Sequence, residues 1–338
     1  MSISGSIPAL FALPAAATVS AALIWVIRPM LLRHALARPN ARSSHRIPTP
    51  QGAGIAVIAA TLVVSGGIVV WGGAAELKIP FAVFGAALFM AMVGLADDVK
   101  SINVLPRLLL QAAAVAAVLL AASGDLRIVP ACPLWIERGV LLVAGLWFVN
   151  LVNFMDGLDW MTVAEVVPAT AALAMLGLLG QYPASATLLA AALCGAMLGF
   201  APFNRPVARV FLGDVGSLPI GLLLGWCLLQ LGYQQQFAAA LLLPLYSLLD
   251  ATVTLLRRLA RREPFWAAHR SHFYQRATDN GFTVWRVVGE VFALNILLAA
   301  LAAGSIMAAS AAVKIVLLLA GGVATVLVMY RFSQRRVS

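Results

Sequence analysis

Apolar residues run along this chain in blocks of about 17–25, with a few shorter, and the polar residues are confined to the gaps between them. A helix of that length rises at about 1.5 Å per residue and matches the roughly 30 Å hydrocarbon core of a bilayer. Eleven blocks are expected to be membrane spans, near residues 8–30, 53–71, 80–96, 107–122, 139–152, 163–180, 185–202, 217–232, 237–256, 283–303 and 306–330. The expected fold is all-α and polytopic, one domain over residues 1–338, with no internal repeat, low-complexity linker or soluble domain.

Composition agrees with that pattern. Of the 338 residues, 62% are hydrophobic and only 11% charged. A soluble domain is about 45–50% apolar and roughly 25% charged. The net charge of +10 raises nucleic acid as a partner, but the basic residues are spread among short interhelical loops. Membrane lipid headgroups and phosphorylated substrates suit that distribution, and no nucleic-acid partner is expected. Cys132, Cys194 and Cys227 form no paired spacing and are expected to be apolar filler.

Charge also sets the expected sidedness. With the N-terminus outside, the inner segments hold nineteen of the 23 Lys and Arg residues, and all four His. Only Lys78, Arg127, Arg138 and Lys314 fall outside or toward the outer half. The positive-inside rule then puts the N-terminus out and the C-terminus in. The first apolar stretch has no basic residue before it, and Arg28, Arg33, Arg38, Arg42 and Arg46 follow it. That order is the reverse of a cleavable signal peptide, so none is expected.

The polar clusters all fall at span ends on that inner side. Asp97-Asp98 follows an apolar run; adjacent carboxylates repel and sit comfortably only beside cations, although a solvated helix end would also carry them. In Asn150-Leu151-Val152-Asn153-Phe154-Met155-Asp156-Gly157-Leu158-Asp159, a continuing helix would put Asn153, Asp156 and Asp159 on one face. Such oxygen ligands suit a hard cation or a nucleotide phosphate, and the plain alternative is an Asx-rich helix cap. Phe211-Leu212-Gly213-Asp214-Val215-Gly216-Ser217 sets an aspartate between glycines just before a span, either as a phosphate-binding helix start or as a turn with its cap.

The loop from Arg257 to Gly281 holds six basic residues, His269, His272, and the aromatics Phe265, Trp266, Phe273 and Tyr274. Its arginines fit an ordinary inner loop, whereas the histidines point toward a diphosphate. Asp250 lies inside the ninth expected span, where an ionisable group is a functional candidate unless it snorkels or meets a neighbouring helix. Ser43 to Gly54, with Pro48-Thr49-Pro50 inside it, reads by itself as a basic loop.

Taken in this order, Pro-Thr-Pro, Asp-Asp, Asn-x-x-Asp-Gly-Leu-Asp, Gly-Asp-x-Gly-Ser and a late His/Arg loop, the segments resemble the polyprenyl-phosphate N-acetylhexosamine-1-phosphate transferases. The resemblance runs from Ser43 to Gly281. It implies transfer of a sugar 1-phosphate from a UDP-N-acetylhexosamine to undecaprenyl or another polyprenyl phosphate, with release of UMP. It implies magnesium, with manganese as a substitute, and a bacterial inner membrane with the active site facing the cytoplasm; a homodimer is compatible with it.

The same resemblance assigns Asp97, Asp98, Asp156 and His272 to catalysis, and Asn153 and Asp214 to the metal. It gives Asn150, Asp159, Asn204, Phe211, Arg270 and Arg276 to substrate binding, Phe211 by stacking on uracil. Where related branches carry a run of histidines, His272 is followed here by Phe273-Tyr274-Gln275, a form that looks like the surface-glycan branch. A secondary transporter would also use many helices and Asp250, but no inverted repeat is visible. A CDP-alcohol phosphatidyltransferase would need a different continuation after Asp156-Gly157.

Overall fold

The computed structural model describes residues 7–37, 48–73, 75–263 and 269–335. The calls on Ser43 to Ile47, Phe265 and Trp266, and on Arg38, Arg42 and Arg46, lie outside the described residues. Apart from a two-stranded antiparallel ribbon, β1 (Leu36–Ala37) with β2 (Thr49–Pro50), the regular structure there is helical.

The helices follow the apolar blocks: α1 (Ile7–His34), α2 (Gly54–Gly72), α3 (Phe81–Val99), α4 (Val104–Leu120), α5 (Leu134–Met155), α6 (Met161–Leu178) and α7 (Ala184–Asn204). After them come α8 (Asp214–Tyr233), α9 (Phe237–Leu242), α10 (Leu245–Ala260), α11 (Phe273–Asp279), α12 (Val284–Met307) and α13 (Ala311–Ser333). Among the described residues nine of these are long and apolar enough to cross a membrane, not eleven. The other two expected spans are the shorter apolar α4 and a span broken in two.

That break has a local cause. The block near 237–256 becomes α9 and α10, separated at Leu243-Pro244. Pro244 has no N–H to give to the preceding turn and its ring crowds it. Beyond the break, α10 is amphipathic, with Asp250 and Arg258 buried on one side and Leu256 and Leu259 exposed on the other.

α7 and α8 form the centre of the bundle: 83% of each central window is buried, against 17% in α13. α1 packs against α7 through Gly195 and Gly199, where an added Cβ would run into the backbone oxygens of Leu13 and Ala17. Small residues spaced by four let helix backbones approach closely where hydrophobicity gives no drive to associate.

The two ends of the bundle are finished differently. At one end the buried Glu137 pins the loop before α5, accepting from the N–H groups of Ile128 (2.9 Å) and Val129 (3.2 Å) and from Arg127 (3.1 Å). Arg138 donates there to Tyr233 at 2.8 Å. The opposite end gathers every motif named above, so their placement on one side matches the expectation from the pattern of spans.

Candidate active site

The site begins with Asp98 at the last turn of α3. Its carboxylate accepts from the backbone N–H groups of Asp214 and Val215, each at 3.0 Å, and from Gln51 Nε2 at 2.5 Å. One carboxylate thereby satisfies the open N–H groups at the start of α8 and complements its dipole. The approach needs Gly94, where a Cβ would collide with the Asp214 backbone.

Gln51 brings in the early loop. Phe211 N–H donates to Pro50 at 2.8 Å, Gly52 and Ala53 donate to the Phe211 carbonyl at 3.1 and 3.0 Å, and Gly54 donates to Leu212 at 2.9 Å. The segment that reads as a loop in isolation is a strap across the Gly-Asp turn. Phe211, the candidate uracil-stacking residue, is held by its backbone with its side chain half-buried.

Asp214 is the first residue of α8, three residues earlier than the expected span. The Asn153 side-chain amide donates to Asp214 Oδ1 and to Ser217 Oγ, both at 2.8 Å, so the two candidate metal ligands are side by side. Asp97 accepts from Ile102 N–H at 2.6 Å and from Arg107 at 2.8 Å. Arg107 also lies 3.8 Å from Asp214. Asp97, Asp98, Asn153 and Asp214 thus meet although more than a hundred residues separate the first from the last.

The Asn-x-x-Asp-Gly-Leu-Asp segment does not continue as a helix. α5 stops at Met155, and Asp156 occupies its C-cap with φ −79° and ψ 40°. The shared face expected for Asn153, Asp156 and Asp159 therefore does not form. Asp156 accepts from Thr162 at 2.5 Å. Burial pushes its carboxyl up to about 8; Thr162 opposes the shift, and Asp214, Asp98 and Asp159 add to it.

Three expected substrate contacts are placed in structural hydrogen bonds. Asp159 is buried and accepts from Ala208 N–H at 3.0 Å. Asn204 accepts from Trp160 N–H at 2.8 Å and donates to the Val210 carbonyl at 3.0 Å, bracing the turn in which Trp160 has φ 65°. Asn150 donates to Gln111 at 2.7 Å, a turn deeper in α5 than Asn153.

The late loop is organised by Asp250. This fully buried carboxylate meets His272 Nδ1 at 3.1 Å, and accepts from Phe273 N–H (3.0 Å), Tyr274 N–H (3.2 Å), Tyr246 (3.1 Å) and Thr254 (3.3 Å). Tyr274 reaches across to the Phe154 carbonyl at 2.8 Å, tying the loop to the end of α5. His269 and His272 have ring centroids 4.9 Å apart. Arg276 lies over Phe273 at 6.0 Å, and Arg270 meets Thr278 and Asp279 at 3.4 Å.

Arg107 and Asp250 carry more of this geometry than their sequence context indicates. Arg107 follows the Asp-Asp pair by one short turn, and its only signal is that proximity. The donor set also fits a hard cation. Arg107 lies between Asp97 and Asp214, and the charges of Asp214, Asp98 and Asp159 add to the Asp156 shift. Among the described residues no three His, Cys, Asp or Glu side chains converge on one point. Magnesium is commonly held by one or two protein oxygens, with phosphate and water completing its shell. Asp214 provides one such oxygen, with the Asn153 amide bonded to it at 2.8 Å.

These features define a multi-pass membrane protein, helical apart from one short ribbon, with a group of acidic side chains at one end of its bundle. Residues 80–232, from the start of α3 through nearly all of α8, match glycosyl transferase family 4. The chain is 24% identical over 300 residues to a probable undecaprenyl-phosphate N-acetylglucosaminyl 1-phosphate transferase of Bacillus subtilis, covering 82% of each chain. It is 27% identical over 337 residues to the decaprenyl-phosphate N-acetylglucosaminephosphotransferase of Mycobacterium tuberculosis, covering 88% of this chain and 83% of that one. A shorter stretch of 76 residues is 41% identical to a Wolbachia phospho-N-acetylmuramoyl-pentapeptide-transferase, under a quarter of either chain. Over more than four fifths of its length the chain is thus similar to polyprenyl-phosphate N-acetylglucosamine-1-phosphate transferases.

Proposed function

We propose that this protein transfers N-acetylhexosamine 1-phosphate from a UDP-sugar to undecaprenyl or another polyprenyl phosphate, releasing UMP, as a membrane step of cell-envelope glycan synthesis. The observation that carries the reading is the closed contact from Gln51 through Asp98 and Asp214 to Asn153. It unites four separated segments of a chain similar to such transferases over four fifths of its length.

The chemistry needs alignment and charge neutralisation more than an unusual side chain. A lipid-phosphate oxygen attacks the β-phosphorus of the UDP-sugar, the bond to the bridging oxygen breaks, and that oxygen departs on UMP. A phosphomonoester has its second pKa near 6, so at pH 7 most of the lipid phosphate is already dianionic. Direct attack is therefore the favoured course, and it asks no proton transfer of Asp97 or Asp98. With both its oxygens already engaged, Asp98 serves as a positioning residue that aims the start of α8. Asp97 holds Arg107 where it offsets charge on an incoming phosphate.

On the nucleotide side, Phe211 is assigned to the uracil, and Arg270 and Arg276 to the diphosphate. Asp250 occupies His272 Nδ1, which leaves Nε2 as the ring nitrogen for a substrate oxygen. Magnesium, or manganese, held by Asp214 and Asn153 would supply charge neutralisation on the diphosphate and on departing UMP. The active end is assigned to the cytoplasmic face of a bacterial plasma membrane, where the positive-inside count places it. The test is purified protein in detergent, given undecaprenyl phosphate and a panel of UDP-N-acetylhexosamines with and without magnesium. A lipid-linked product from at least one sugar is expected; no product from any of them contradicts the proposal.

A further inference from the structure

A cavity of about 540 Å³ opens where α1 meets the α7–α8 loop, lined by Trp25, Val26, Arg28, Pro29, Phe203 and Arg209. Its size is that of a small-molecule site. None of Asp97, Asp98, Asn153 or Asp214 lines it, so it is separate from the candidate active site.

The two sides of this cavity differ in chemistry. Trp25 and Val26 are exposed on a helix apolar enough to span a bilayer, so that wall faces acyl chains. Arg28 and Arg209 bring two guanidinium groups, and among the described residues no carboxylate lines the cavity to meet them. Arg28 Nε is buried without a hydrogen-bond partner among the described residues. Leaving such a donor unmet in a protein interior is costly, so the geometry lacks an acceptor. The first acidic residue of the chain is Glu76, so no carboxylate lies close to Arg28 in sequence. Pro29, inside α1, has no N–H, so the Trp25 carbonyl loses its usual helical donor and can accept from a hydroxyl.

We propose that this cavity seats the headgroup of an anionic, glycerol-bearing phospholipid from the surrounding bilayer. Its phosphate lies on Arg28 and Arg209, a headgroup hydroxyl reaches the Trp25 carbonyl, and its chains follow Trp25, Val26 and Phe203. The guanidinium groups complement the phosphate, and the open apolar wall excludes a water-soluble anion as the natural occupant. Occupancy also bears on the site nearby. Arg209 N–H is bonded to the Phe203 carbonyl at 2.8 Å, and two residues later Phe211 is strapped to the early loop. A bound headgroup would thus hold one end of the turn that carries Phe211 and Asp214.

Native mass spectrometry of the full-length protein in detergent tests this, with phosphatidylglycerol, phosphatidylcholine, inorganic phosphate and undecaprenyl phosphate added in turn. The comparison is wild type against Arg28→Gln/Arg209→Gln. Wild type is expected to retain phosphatidylglycerol over phosphatidylcholine, and the double variant to lose that preference by about tenfold or more. The KM for undecaprenyl phosphate is expected to stay unchanged. An Arg28→Lys/Arg209→Lys protein keeps the charge without the planar fork and is expected to fall between them, which also serves if the Gln protein does not fold. Equal phosphatidylglycerol retention by wild type and a folded Gln variant would overturn the proposal. So would displacement of the lipid by millimolar phosphate, which marks a free-anion site. A raised KM for undecaprenyl phosphate with unchanged phosphatidylglycerol retention would assign the cavity to the carrier substrate.

Discussion

Asp214 is the residue on which the separate strands of the site converge: its backbone N–H is held by Asp98, and one carboxylate oxygen is held by Asn153. Asp214→Asn removes charge while nearly preserving shape. Turnover is expected to fall roughly 100-fold or more, because a lost ionic contact to a catalytic metal costs several kcal/mol in the transition state. Steady-state rates at saturating magnesium check it, and near-normal turnover in a folded variant would remove Asp214 from the metal.

Arg276 tests the other half of the site. Arg276→Ala is expected to weaken UDP-sugar binding by roughly 10- to 100-fold, the worth of a charge-assisted hydrogen bond to phosphate. Asp98→Asn is expected to lower turnover with little change in that binding, since it acts on the alignment of α8. Calorimetric titration beside kinetics separates the two. If Asp98→Asn loses nucleotide binding and Arg276→Ala keeps it, the half-sites are exchanged.

At this scale the sequence singles out Asp97, Asp98, Asn153 and Asp214 from separate segments, each with a plain helix-end alternative, and the structure sets them beside one another. Asp159 and Asn204, candidates from the same reading, are bonded to the backbone of Ala208, Trp160 and Val210. Nothing in a linear pattern distinguishes a polar side chain that meets substrate from one that braces a turn. Arg107 is hidden for the opposite reason, as one more inner-side cation until Asp97 and Asp214 are seen beside it.

Among the elements, the contact between α3 and α8 sets the spacing of the acidic groups. Gly94 allows it, and Gly94→Ala would drive a methyl into the Asp214 backbone. The expected cost is about 1–3 kcal/mol, typical of overpacking, together with a loss of turnover. Thermal unfolding in detergent and the transfer assay read the two effects, and an unchanged rate would show that α3 does not fix α8. The broken α9–α10 pair has an equivalent keystone in Asp250, which ties α10 to the start of α11. Asp250→Ala would leave several buried donors unpaired and is expected to destabilise the protein by about 3 kcal/mol or more. A variant as stable as wild type would show that the late loop is held by other contacts.

Both features explain where reading by element stops short. Apolar block length recovers most helices to within a few residues, since the bilayer imposes that length. It joins α9 to α10 because Pro244 is a single residue within an apolar run. The continuing helix through Asp159, considered for the polar motif, is not formed: α5 stops at Met155, and the contacts of Asp156 and Asp159 accompany the turn.

For the whole molecule, the arrangement puts all the motifs at one end of a bundle with a differently built opposite end. The excess of basic residues in the same segments predicts that this end faces the cytoplasm. A cysteine introduced near Gln181 should be labelled by an impermeant reagent from outside, and one near Ala268 only after permeabilisation. Reversed labelling would turn the site away from cytosolic UDP-sugars and contradict the account of substrate access.

The most direct measurement of the central claim is the identity of the nucleotide released. Purified protein is incubated with undecaprenyl phosphate and UDP-N-acetylglucosamine, or whichever UDP-N-acetylhexosamine it accepts, and the nucleotide and lipid products are quantified together. Transfer of a sugar 1-phosphate predicts UMP and a lipid diphosphate-linked sugar in equal amounts, with neither formed when the lipid phosphate is withheld. Release of UDP with a lipid monophosphate-linked sugar would mean that the bond broken is at the sugar carbon, and would contradict the mechanism read from this site.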